Sequence, residues 1–98
     1  MGIRKEVGEF IALGPLPDVR VDEERIARHQ ATLLKIKKPV TDEEAAVLIG
    51  AFGPDDCFGL AWTLLHLIES APSGVPVHSQ PADSENQWIR RLWERSHR

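Results

Sequence analysis

Residues 57–70, Cys-Phe-Gly-Leu-Ala-Trp-Thr-Leu-Leu-His-Leu-Ile-Glu-Ser, are apolar almost all the way round a helix. A helix with no broad polar face has to be enclosed by other elements. Only Thr63, His66, Glu69 and Ser70 break its apolar surface, and a spacing of three to four residues puts them on one side. That stripe is the helix's exit to solvent. The stretch from Cys57 to Ile68 falls well short of the roughly 20 residues needed to span a bilayer, and it contains His66. It is expected as the central helix of a protein core, with Trp62 among the buried residues.

The rest of the chain has to supply that enclosure. With 98 residues, 42% apolar and 28% charged, there is material for one core and not two. Ile3, Val7, Phe10 and Ile11 share a helical face over 3–13, ended by Gly14-Pro15. A second helix is expected over 21–35, with Ile26, Ala27, Leu33 and Leu34 on its apolar stripe and Gln30 at the edge. Its acidic opening at Asp22-Glu23-Glu24 and basic close at Lys35, Lys37 and Lys38 suit the helix dipole.

After Pro39, Thr41-Asp-Glu-Glu44 reads as a capping box. It opens a third helix with Ala45, Leu48, Ile49 and Phe52 inward, stopped by Gly53-Pro54. Asp55 and Asp56 stand where the apolar helix begins and can cap it. Residues 71–83 hold three prolines and a glycine and read as a loop. Ser84 and Gln87 repeat the capping-box spacing ahead of Trp88, Ile89, Leu92 and Trp93, with Arg90, Arg91 and Arg95 on the other side. The expectation is an all-α single domain, residues 1–98, of about five helices. Short connections between helices two, three and four favour antiparallel neighbours stacked as helical hairpins.

Composition narrows the function classes. A net charge of −3 lacks the clustered Lys and Arg that nucleic acid demands, and its sign favours a basic partner. The opening residues carry glutamates where a secretory signal would be apolar, and the single Cys57 forms no internal disulfide. Together these point to the cytoplasm, away from membranes.

No catalytic set can be assembled, so no enzyme and no cofactor are expected. His29, His66, His78 and His97 lack the i, i+4 pairing or carboxylate cluster of a metal site. Cys57 is expected as a core residue, since Asp55 and Asp56 would oppose its ionisation. Gly53-Pro-Asp-Asp-Cys-Phe-Gly59 lacks the lysine of a phosphate loop. Trp62 and Trp88 sit on apolar faces and are expected in the core. A helix-turn-helix is disfavoured, because helix three opens acidic and helix four is apolar.

What remains is contact with another protein. His66 and Glu69 are neighbours on the helix surface, and Asp55 and Asp56 stand where that helix begins. These four are the candidate partner-binding residues. Leu65-His66-Leu67-Ile68-Glu69, the acidic pair Asp55 and Asp56, and Trp88, Leu92 and Arg95 in the closing helix resemble the bacterial immunity proteins of the family called immunity protein 30. The resemblance covers the C-terminal half. It implies an α-helical, non-catalytic protein that binds a cognate toxin domain, a basic one on the charge argument, and blocks it. The alternative is a small helical regulatory or scaffold module that uses the same surface for another partner.

Overall fold

The computed structural model describes residues 3–17, 20, 23–53, 57–74 and 86–96. Among them the chain forms α1 (Lys5–Ala12), α2 (Glu23–Leu33), α3 (Asp42–Leu48), α4 (Leu60–Glu69) and α5 (Gln87–Ser96), and no strand. The all-α expectation holds. The Cα radius of gyration is 12.8 Å, as expected for a packed domain of this length.

α1 packs on α2 and α3 on α4, while α1 also meets α3 and α5 closes over α4. The hairpins are thus α1/α2 and α3/α4. α2 and α3, although joined by a short connection, are not among the principal pairs. The core runs through Val7, Phe10, Leu33, Leu48, Leu64, Leu65, Ile68 and Leu92, each 1% exposed or less. Their positions follow the helical periods of the sequence.

Local chemistry sets where the helices begin. Thr41 Oγ1 accepts the Glu44 backbone N–H at 3.1 Å and Glu44 Oε1 accepts that of Thr41 at 2.8 Å, completing the capping box. α3 then tightens into a 3-10 turn over Ile49–Ala51 before Gly53. The apolar segment is not one continuous helix. Cys57–Gly59 forms a 3-10 turn, with Cys57 at φ +46° and Gly59 at φ +91°, and α4 starts only at Leu60. A left-handed backbone cannot continue a right-handed helix, and glycine takes it without a Cβ penalty. α5 begins at Gln87, where Asn86 Oδ1 accepts the Trp88 backbone N–H at 2.8 Å. Asn86 is therefore a cap; Ser84, expected in that role, lies outside the described residues.

Among the described residues, two polar side chains are sealed inside. Glu44 is 0% exposed and His29 is 1% exposed. Glu44 Oε2 accepts the backbone N–H and Nε of Arg4, both at 2.9 Å, and Oε1 accepts Arg4 Nη2 at 3.1 Å. The same Nη2 donates to the carbonyls of Lys37 at 3.0 Å and Pro39 at 3.5 Å. Arg4 thereby clasps the segment before α1 to the α2–α3 connection and the first turn of α3. Burial alone pushes the Glu44 carboxyl up from an ordinary 4.5. The bonds from Arg4 and from the Thr41 and Arg4 backbone, with the attraction of the guanidinium, outweigh burial and bring it to about 2.

His29 sits edge-on to Phe10, with Nδ1 at 3.0 Å from the Arg25 carbonyl and Nε2 at 3.3 Å from that of Gly14. A neutral ring carries one N–H and can donate to one of the two.

Three distant segments meet at Gly53. The Leu16 N–H donates to Ala51 O at 2.8 Å and Asn86 Nδ2 donates to Gly53 O at 2.9 Å. A Cβ on Gly53 would overlap the Leu16 carbonyl.

Candidate functional site

The polar stripe expected along the central helix is present and wider than anticipated. On α4, Leu60, Ala61, Leu64, Leu65, Leu67 and Ile68 are buried, which leaves Trp62, Thr63, His66 and Glu69 outward or half-outward. Trp62 is 36% exposed, and among the described residues it is one of three exposed large hydrophobic residues, with Ile3 at 43% and Leu34 at 64%. Its assignment to the core is therefore corrected. At 100° per residue it falls between Glu69 and His66, on the side of α4 opposite the middle of the apolar arc. Trp88, by contrast, is 2% exposed, as expected.

α5 builds one wall of this face. Trp62 meets Trp88 edge-on at 5.1 Å between ring centroids, and Phe52 stacks beneath Trp88 at 6.1 Å. The Arg91 guanidinium lies 4.8 Å from the Trp88 ring centroid and 5.3 Å from that of Trp62, within cation–π range of both. His66 is tilted against Trp62 at 6.2 Å.

Glu69 is not a free carboxylate. Arg95 grips it with Nε at 2.6 Å and Nη2 at 3.1 Å, and that bond, with the charge of Glu69, raises the Arg95 pKa. His66 and Glu69 thus share the face with Trp62, but Glu69 serves to tie α4 to α5. Asp55 and Asp56 lie outside the described residues.

Two sides of α4 differ in chemistry. Toward α5, a cleft of about 280 Å³ is lined by Trp62, Gln87, Arg90, Arg91, Glu94 and Arg95. Toward α2, clefts of about 320 and 230 Å³ follow one another. Glu23, Ile26, Ala27, Gln30 and Leu60 line the first; Leu34, Thr63, His66 and Leu67 are among those lining the second. α2 and α4 therefore run in the same direction, and α3, antiparallel to α4, opens at the other end. There Asp42 accepts the Ser73 N–H at 3.0 Å and its hydroxyl at 2.7 Å, which lowers the Asp42 pKa.

Arg91 is the residue sequence reasoning missed at this face, having assigned it to the solvated side of α5. Its spacing of three from Trp88 placed the two on neighbouring turns, the one signal available. Among the described residues no group of three or more His, Cys, Asp or Glu could hold a metal ion, and no helix is long and apolar enough to cross a membrane. Compared with protein-family models, curated proteins and solved structures, the chain matches none of them.

Proposed function

We propose that the chain is a non-catalytic binding protein that engages a partner protein through the α4–α5 face, with Trp62, His66 and Arg91 as the contact residues. In its specific form it neutralises a cognate bacterial toxin, as the resemblance in residues 65–69 and α5 implies. The reading rests on one observation: an indole 36% exposed at the surface with an arginine held over it. Tryptophan and arginine are the residues enriched where binding energy concentrates. A tryptophan side chain of roughly 250 Å² exposed to that degree leaves about 90 Å² in water, worth about 2 kcal/mol when a partner covers it.

Rigidity supports the same reading. Trp62 is braced by Trp88, and α5 is tied to α4 by Arg95 and Glu69, so little side-chain order would be lost on docking. With Glu69 paired, the face carries Arg90, Arg91 and Glu94 beside the indole. The contact it offers is aromatic and cationic rather than acidic. A basic toxin would then be met by carboxylates elsewhere, Asp55 and Asp56 being the candidates from sequence.

Co-expression with a toxin encoded beside this chain tests the reading. Growth should be rescued by the wild type, and Trp62→Ala or Arg91→Ala should weaken binding by at least about tenfold. A toxin that remains lethal beside soluble wild-type protein would remove the toxin reading; unchanged binding by both variants would remove the face.

A further inference from the structure

The side of α2 that flanks α4 carries both a hole and a residue able to fill one. Glu23, Ala27, Gln30 and Leu34 follow at intervals of four, three and four residues, so they form one line along the helix. Around the first three, with Ile26 and Leu60 as an apolar floor, lies the cleft of about 320 Å³. Positions 23, 26, 27 and 30 are the i, i+3, i+4, i+7 set that forms the hole in knobs-into-holes packing. One turn beyond stands Leu34, 64% exposed and so the most exposed large hydrophobic residue described. It cannot enter the hole on its own helix. A second copy running the opposite way can place its Leu34 there, and by symmetry receive one in return.

Charge selects the direction. Glu23 and Glu24 open α2, and Lys35, Lys37 and Lys38 follow its end, all exposed. Among the described residues Glu23 and these lysines make no ion pair, and Glu24 makes only a loose one with Arg28 at 3.9 Å. Inserting Leu34 into the hole centred between Ile26 and Ala27 puts the symmetry axis near Gln30. That register brings the acidic opening of each α2 to the lysines of the other at both ends. A parallel arrangement would set like charges together.

We propose that two copies of this chain pair through antiparallel α2 helices, each inserting Leu34 into the other's cleft between Glu23, Ala27, Gln30 and Leu60. The pairing does not rest on the partner reading above: Trp62 and Arg91 lie on the other flank of α4, and of the contact residues named there His66 alone also lines the α2 side.

Sedimentation equilibrium of the full chain between about 1 µM and 1 mM tests it. The average mass should climb from 11.0 kDa towards twice that value with concentration. Leu34→Glu, at an exposed position and with an unchanged helical circular dichroism spectrum, should stay at the monomer mass. Glu23→Lys/Glu24→Lys and Lys37→Glu/Lys38→Glu should each be monomeric alone, and their mixture should return to the dimer mass. A wild type that stays monomeric up to 1 mM overturns the proposal, as does a Leu34→Glu variant that still dimerises. Should a monomeric wild type bind a helix of another protein through Leu34, the cleft has a different occupant and self-pairing is equally refuted.

Discussion

The clasp between Arg4 and Glu44 permits a quantitative test. Arg4→Met keeps the aliphatic stem and removes the guanidinium, so Glu44 loses bonds at 2.9 and 3.1 Å while keeping the backbone donors of Arg4 and Thr41. Glu44→Gln removes the charge and keeps the shape. Each bond to a charged group is worth about 1.5–3 kcal/mol, but the Arg4 side chain is 40% exposed and water screens its share. A coupling of about 2 kcal/mol is expected from the double-mutant cycle at pH 7.

The carboxyl gives the pH dependence. Its folded-state value is brought down to about 2 from an ordinary 4.5. The unfolded chain therefore binds the proton first. The stabilisation is full above about pH 4.5 and is lost as the pH falls towards 2. The whole shift would correspond to a ceiling of about 3 kcal/mol, which screening at Arg4 reduces to about 2. Urea unfolding of the four proteins reads this directly: with a slope of about 1 kcal/mol per molar, the coupling equals a midpoint difference of about 2 M at pH 7. It should fall to a small fraction of that value near pH 2, where the folded-state carboxyl is about half protonated. A coupling below about 0.5 kcal/mol at pH 7, or one unchanged between pH 7 and pH 2.5, would refute the reasoning.

Other substitutions separate structure from surface. Gly53→Ala drives a methyl into the Leu16 carbonyl and should cost about 2–3 kcal/mol or prevent folding, read as the urea midpoint or loss of soluble protein. Trp88→Ala, emptying a 2% exposed site under Trp62 and Arg91, should cost about 3–5 kcal/mol, whereas Trp62→Ala should cost about 1 kcal/mol, by thermal or urea melts. Cys57 is 0% exposed. Its thiol should therefore react with a disulfide reagent at least about 100-fold more slowly in buffer than in denaturant.

How far the sequence carried can be judged residue by residue. The capping box at Thr41 and Glu44 was legible because its reciprocal bonds are local. The core positions of α1, α3 and α4 were legible because burial repeats with the helical period. Failures came where distant residues decide. Glu44 read as a helix cap and nothing more, because its partner Arg4 is 40 positions away. His29 read as one of four scattered histidines, and only the fold puts Phe10 and the Gly14 carbonyl around it. Trp62 read as buried because the helix around it is apolar on nearly every side. Its place on the arc with His66 and Glu69 was nevertheless fixed by spacing. For the candidate face, His66 and Glu69 were found from the stripe, but the Arg95 grip on Glu69 and the seat of Arg91 on two tryptophans depend on how α5 crosses α4.

The crossing at Gly53 has a dynamic consequence. The Leu16 amide lies outside any helix, yet its acceptor is the carbonyl of Ala51, and both residues are buried, at 1% and 3%. Loop amides ordinarily trade their hydrogens for deuterium through small local fluctuations. Here the carbonyl of the same residue is packed directly on Gly53, so releasing the Leu16 amide is expected to require the two backbone segments to part. Its isotope exchange should keep pace with amides of α4, making a single connector signal in an NMR spectrum a gauge of unfolding for the entire chain.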